Sequence, residues 1–506
     1  MIVNQIHHHV FNEMPIRMLA FDSNGTQLRL VERSEIAEQI KFRLSEEDWQ
    51  GLDESESFDL VNKLGRYAIL SHTWFRGKPG DVVYGDWKVR DLNSKGNSKI
   101  VKFCEVAARN HGVVYGWMDT ICIDKSSSTE LDESIRSMYR WYRQSHLCIT
   151  YLADTDDIPD MHSDAWFTRG WTLQELLAPQ NMIFYSKNWT FLAQNNMEMT
   201  KKWHTFRAFS ESVYSQISQA TTIEKDEMLM CFSDPALLPI SRVLQLATRR
   251  SVTRQEDRIY SLMGLLGISI SVAYGEGLPT AFKRLFREIM LARAVFLDLF
   301  NHSDQNHLIP SSITQYTERT SVFDRTFFYT STDLDNHSPI EPTSMTQLGV
   351  HAAVFLVPLF RETIPGVPIS SNTAYHHAIN ITWFDDSDKY HVLLRNDASA
   401  MFIANFQAKS TPLSAISDAI FCGILNFWRS ESAYHIPDHW LYVVFKFSTD
   451  LASKTIPDIN ARDLVQISGP RVQSWPRDHT FGPGYNRLWE QDLRKMGMQV
   501  AQLYLA

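Results

Sequence analysis

Between residues 61 and 187 the apolar positions alternate between strand-like runs and helix-like spacing. Tyr67, Ala68, Ile69 and Leu70 form a short apolar run that leads into Ser71, His72, Thr73 and Trp74. Ile100, Phe103, Cys104 and Ala107 then recur on one helical face, and Gly112 follows where a helix would stop. Residues 113–123 read as a second strand, interrupted by the carboxylate of Asp119. Ser127 and Glu130 have the spacing of a capping box, and Leu131, Ile135, Met138 and Tyr142 continue one helix face. Residues 147–152 make a third strand, 171–177 a short helix stopped by Pro179, and 183–185 a fourth strand. Strand and helix in alternation predict an α/β core, a doubly wound parallel sheet covered by helices.

The flanks read differently. Residues 15–31 surround the turn-forming Asp22-Ser23-Asn24-Gly25 and predict a hairpin, followed by an acidic helix over 34–60. Residues 190–290 read as mostly helical, including 249–266 and 280–290, with a turn at Tyr274-Gly275-Glu276-Gly277. Residues 301–347 are rich in Ser, Thr, Asn, Asp and His and read as a linker. Beyond them, alternating aromatic-rich runs predict a β-rich C-terminal domain over 348–506. The expected organisation is an extension over 1–60, a core over 61–187 with its helical part at 190–290, the linker, and the β-rich domain.

At 506 residues, 44% hydrophobic and 21% charged, the chain is long enough for more than one packed domain and too apolar for wholesale disorder. A net charge of -9 supplies no general cationic field for phosphates, so nucleic acid is not an expected partner. The 5 cysteines are dispersed and include no CxxC pair, which predicts neither a disulfide framework nor a zinc site, and fits a reducing, cytoplasmic setting. No secretory leader is read at the start, and the longest apolar run, 352–360, is too short for a membrane span. His7, His8 and His9 are adjacent and do not converge on a metal. No dinucleotide fingerprint or P-loop spacing occurs, so no bound cofactor is expected.

Ligands of open α/β sheets bind beyond the carboxyl ends of the strands. Three segments place polar residues there: Ser71 to Trp74, Asp119-Thr120 with Asp124-Lys125, and Arg169 to Glu175. Trp171 and Glu175 lie four apart and share a helix face, setting an indole beside a carboxylate. That pairing suits a flat, partly cationic ring on a sugar, the wall packing the ring and the acid stabilising charge at the anomeric carbon. The competing reading pairs Glu175 with Arg169 and packs Trp171 in the core. Ser71 and His72 are neighbours on a strand and point to opposite faces, which argues against a nucleophile and base. Asp257 and Arg258 read as a structural pair.

The strings YAILSHTW (67–74), YGWMDTICIDK (115–125), SMYRWYRQSHLCITYLAD (137–154), WFTRGWTLQELLAP (166–179), RRSVTRQEDRIYSLMGLLG (249–267) and YGEGLPTAFKRL (274–285) resemble the fungal heterokaryon incompatibility (HET) domain over about residues 60–290. The resemblance implies non-self recognition and regulated cell death. The HET domain in turn resembles the Toll/interleukin-1 receptor (TIR) domain, which implies a flavodoxin-like parallel sheet. WTLQEL is similar to the TIR motif whose glutamate is catalytic in NAD+-hydrolysing members, with Thr172 standing in place of a cysteine. Carried over, the catalytic role falls on Glu175, with Ser71, Trp74, Asp119, Arg169 and Trp171 around the substrate, NAD+ being consumed rather than held as a cofactor. Phe75 stands where many HET domains have glycine. The alternative is a non-catalytic signalling module that self-associates or engages other incompatibility proteins.

Overall fold

The computed structural model describes residues 2–44, 51–75, 77, 80–199, 204–233, 238–292, 297–300, 302–303 and 309–316, and beyond residue 343 the strands named below with residue 425. The chain divides into two units, Met1–Leu238 with Leu246–Glu288, and Pro239–Gln245 with Ile289–Ala506.

The first unit begins with α1 (Ile2–His8) and the strands β1 (Arg17–Ala20) and β2 (Arg29–Glu32). The expected hairpin forms because the Asp22 carboxylate accepts from the backbone N–H groups of Thr26 and Gln27 at 2.7 and 3.1 Å. The helix expected over 34–60 is two helices, α2 (Arg33–Leu44) and α3 (Glu54–Gly65), the second opened by a capping box between Asp53 and Glu56. There follow β3 (Ala68–His72), α4 (Lys95–His111), β4 (Tyr115–Trp117), α5 (Ser128–Gln144), β5 (Leu147–Tyr151), α6 (Thr172–Leu177) and β6 (Met182–Tyr185). The unit continues through β7 (Phe191–Met199), β8 (His204–Arg207), α7 (Glu211–Thr221) and α8 (Lys225–Ser233). The boundary falls within α9 (Ile240–Thr248), and α10 (Asp257–Tyr260) and α11 (Leu278–Ala292) come after it.

The sheet order is β2-β1-β4-β3-β5-β6-β7-β8. β3 is parallel to both β4 and β5, and β5 to β6, while the hairpin and β7-β8 add antiparallel edges. The α/β class expected from periodicity is therefore present. Because β4 and β5 lie on opposite sides of β3, the connections diverge at the carboxyl ends of β3 and β5, the position where open α/β sheets bind ligands. The apolar face of α4 buries Ile100, Phe103, Cys104 and Ala107 as anticipated, and Gly112 ends it at φ 60°. Beneath the sheet, Trp117 meets Trp141 and Tyr142 edge-on at 5.6 and 6.0 Å, contacts worth about 1 kcal/mol each beyond area burial.

Several expectations change. The second strand ends at Trp117, not residue 123: the Cys122 N–H donates to the Met118 carbonyl at 3.0 Å, so Asp119 sits in a turn and Ile121, Cys122 and Ile123 are buried without being sheet. Half of the capping box at Ser127 is made, its hydroxyl accepting from the Glu130 N–H, while Glu130 turns to the Asp124 N–H at 2.7 Å and to Arg17 at 2.8 Å. The region after 190 opens with β7 and β8 rather than helix, because β7 pairs with the edge of β6 (Ile183 opposite Gln194) and that pairing outweighs local propensity. Within 249–266 only α10 is helical; Ile259, Tyr260, Leu262, Met263, Leu265 and Leu266 are all buried, more directions than one helix face can bury. The helix expected at 280–290 is present in α11.

In the second unit the described residues past 343 are strands: β9 (Ser344–Thr346), β10 (Gly349–Leu359), β11 (Arg361–Glu362), β12 (His377–Thr382), β13 (His391–Asn396), β14 (Met401–Asn405), β15 (Ile420–Ile424), β16 (Trp428–Ser430), β17 (Ala433–Pro437), β18 (His439–Phe447), β19 (Leu464–Gln466), β20 (Arg471–Ser474), β21 (Tyr485–Trp489) and β22 (Gln499–Leu505). Their largest sheet runs β19-β18-β15-β10-β22. Most of the linker expected at 301–347 lies outside the described residues. Among the described residues no helix is long and apolar enough to cross a membrane. Cys104, Cys122, Cys148 and Cys231 are buried.

Candidate active site

β3 ends in Ser71 and His72, which lie on opposite faces of the sheet as the two-residue period requires. On one face the Ser71 hydroxyl donates to Glu175 Oε2 at 2.5 Å and accepts from the Trp166 indole N–H at 2.7 Å. Trp166 is held in a helical turn over Ala165–Thr168, where the Asp164 carboxylate accepts its backbone N–H at 2.9 Å. Glu175 comes from α6, and the Tyr142 hydroxyl of α5 lies within hydrogen-bonding reach of it while donating to the Leu70 carbonyl at 3.2 Å. Ser71 and Trp166 have no exposure and Glu175 keeps 8%. Burial pushes the Glu175 carboxyl up to about 7, against the opposing pull of the Ser71 hydrogen bond and the Arg169 charge.

On the other face, the Asp119 carboxylate accepts from the Trp74 indole N–H at 2.9 Å and lies 3.2 Å from His72 Nε2 and 3.7 Å from Lys125 Nζ. Burial raises its pKa, but Lys125, His72 and Arg169 overcome that and hold it well below the usual carboxylate range. Lys125 Nζ also stands 3.7 Å over the Trp74 ring, which is 41% exposed. Asp124 satisfies its own loop instead, accepting from the Ser126 N–H and hydroxyl.

Arg169 does not hydrogen-bond Glu175; its Nη1 donates to the His72 carbonyl at 2.8 Å and its charge reaches both carboxyls. The Trp171 indole turns away to the Asp257 carboxylate, which also accepts from the Tyr274 hydroxyl at 2.8 Å. Asp257 and Arg258 therefore have separate tasks, Arg258 donating to the Arg250 carbonyl at 3.2 Å. The loop leading into α6 is clasped by a distant segment: Gly170 N–H donates to Ser251 O at 2.9 Å, Ser251 N–H to Thr168 O at 2.6 Å, and Arg250 Nη1 to Arg169 O and Thr172 Oγ1 at 2.9 and 3.0 Å. A Cβ at Gly170 would sit 2.4 Å from Val252 Cγ1, so only glycine permits this approach.

The three segments expected at the strand ends do converge, bringing Ser71, Glu175, Trp74, Asp119 and Arg169 together and leaving Trp171 aside. Sequence reasoning missed Trp166, Tyr142, Lys99 and Arg250. A usable signal existed for Lys99, which lies four residues before Phe103 on the buried face of α4.

Residues 67–164 match the family model for the heterokaryon incompatibility protein (HET). Over 242 residues the chain is 36% identical to vegetative incompatibility protein HET-E-1 of Podospora anserina, an alignment covering 45% of this chain and 16% of that protein. No solved structure matches the chain significantly. Ser71, Trp74 and Asp119 fall inside the matched span and Glu175 beyond it, so the chain carries a match to the HET domain over residues 67–164.

Proposed function

We propose that this protein acts in fungal heterokaryon incompatibility, the recognition of non-self leading to regulated cell death, and that its α/β unit is a TIR-like NAD+ hydrolase. The name of the relative and the HET match support the first part. The strand order around β3 supports a TIR-like reading of the sheet. One observation carries the catalytic reading: a buried carboxyl, Glu175, sits at the point where the sheet connections diverge, with its ionisation poised near neutrality.

Ionised Glu175 hydrogen-bonds a hydroxyl of the nicotinamide ribose and stabilises the oxocarbenium-like transition state as the C–N bond breaks. Nicotinamide leaves with the bonding pair; water adds to the anomeric carbon and loses a proton, giving ADP-ribose. Ser71 turns its hydroxyl from the carboxylate to the substrate, and Trp166 keeps Ser71 in place. Trp74 offers a ring for stacking and Asp119 an acceptor for sugar hydroxyls.

The purified protein is expected to release nicotinamide from NAD+, measured by chromatography, and Glu175→Gln to abolish that release. A second reading rests on the absence of exposure at Ser71 and Trp166: the centre is a packed polar hub, and the unit signals by association. Cell toxicity that survives Glu175→Ala in a folded protein selects that reading.

A further inference from the structure

Lys99 is a buried cation that the chemistry above does not use. Its side chain is 2% exposed, and Asp81, its carboxylate partner, is 5% exposed. Lys99 Nζ lies 2.5 Å from Asp81 Oδ1, 3.3 Å from the Thr73 carbonyl and 2.8 Å from His72 Nδ1. An ammonium donates but accepts nothing, so in its 2.8 Å contact with Lys99 the His72 Nδ1 is the acceptor. The Thr73 carbonyl also lies 3.1 Å from Nδ1 and would attract an Nδ1–H, but that tautomer sets two donors against each other at 2.8 Å.

The ring proton therefore resides on Nε2, 3.2 Å from Asp119 Oδ1 and off the axis of a linear hydrogen bond. Burial and the Lys99 charge depress the His72 pKa, opposed by Asp119 and Asp81. The side chain of His72 is 1% exposed, out of reach of a substrate, whereas Asp119 retains 26% and Trp74 lies exposed beside it. Asp119, and through its hydrogen bond the Trp74 indole, is thus backed by a buried ring that a ligand does not reach.

We propose that Lys99 and His72 are positioning residues that fix the Asp119 carboxylate and the Trp74 indole as one rigid edge for the ribosyl-base part of a nucleotide, His72 taking no acid–base turn. The nucleotide part rests on the function proposed above. Asp119 supplies an anionic acceptor for sugar hydroxyls and Trp74 a stacking surface for the base.

The test uses the full chain. Nitrogen-15 histidine spectra, with the His72 signals identified by their loss in His72→Leu, are expected to show a neutral ring protonated at Nε2 and unchanged between pH 5 and 8. A ring that titrates in that interval, or carries its proton on Nδ1, overturns the proposal whatever the enzymatic activity. Calorimetric binding of ADP-ribose is expected to weaken about tenfold in His72→Leu and Lys99→Met but only two- to threefold in His72→Gln, which restores a donor toward Asp119. Unchanged affinity in a folded His72→Leu variant overturns the positioning role and spares the function. Failure of the unaltered protein to bind ADP-ribose or NAD+, with the ring in the expected tautomer, overturns the nucleotide assignment and the proposed function with it.

Discussion

Glu175 and Asp119 feel each other's charge across the end of β3, yet the fold treats them oppositely. Glu175 is met by a hydroxyl from Ser71 and one from Tyr142, in a dry setting that raises its pKa to about 7. Asp119 is ringed by Lys125, His72 and the Trp74 N–H, and stays ionised. Two carboxyls of similar intrinsic acidity are thus driven apart by their surroundings, one toward proton exchange and one toward fixed charge. The contrast also assigns labour: a neutral-leaning acid suits a centre where charge develops, and a permanent anion suits orientation.

The contrast is broken most severely from beneath the charged side. Asp81→Ala leaves Lys99 buried without its counter-charge and is expected to cost about 3–5 kcal/mol in urea unfolding. Next comes the neutral side. A folded pKa of about 7 against the ordinary 4.5 means that the native state holds the proton more tightly than the unfolded chain, so the stability contributed is complete below about pH 4.5 and is lost as pH rises through 7. Glu175→Gln should therefore match the unaltered protein near pH 4.5 and exceed it on the order of 3 kcal/mol at pH 8, by unfolding at both values.

Ser71→Ala sharpens the comparison. It strips a partner from both Trp166 and Glu175, for an expected loss of about 2 kcal/mol in denaturant, and moves the Glu175 titration to higher pH because the Ser71 bond favours the ion. Trp74→Phe has the smallest effect: one N–H to Asp119 is lost at an exposed ring, and the unfolding free energy should fall by less than about 1 kcal/mol.

The parallel strands were legible because each is an apolar run bounded by polar turns, and the loops after them carried residues foreign to a core, Asp119 above all. Glu175 was legible as an acid set among the leucines of a short helix. The choice of indole was not. Trp166 and Trp171 both flank that acid, and which one reaches Ser71 depends on Asp257 claiming Trp171 from another segment. β7 and β8 were equally hidden, since residues such as Asn195, Asn196 and Glu198 favour strand only when an open edge like that of β6 awaits them. Lys99 was obscured by the assumption that a helix lysine reaches solvent, whereas Asp81 and His72 draw it inward.

The clasp between Gly170 and Ser251 limits how the domain can be transplanted. A fragment excised at residue 164, where the family match stops, would omit the acid entirely. One ending just past α6 would retain Glu175 but lose Arg250 and the rungs that seat its loop. Glu256 in turn accepts the backbone N–H groups of Gly275 and Gly277 at 3.0 Å each. The smallest portable piece with an intact centre therefore runs from the β1 hairpin through residue 277, and chimeras joined inside that stretch should inherit a scaffold whose acid is misplaced.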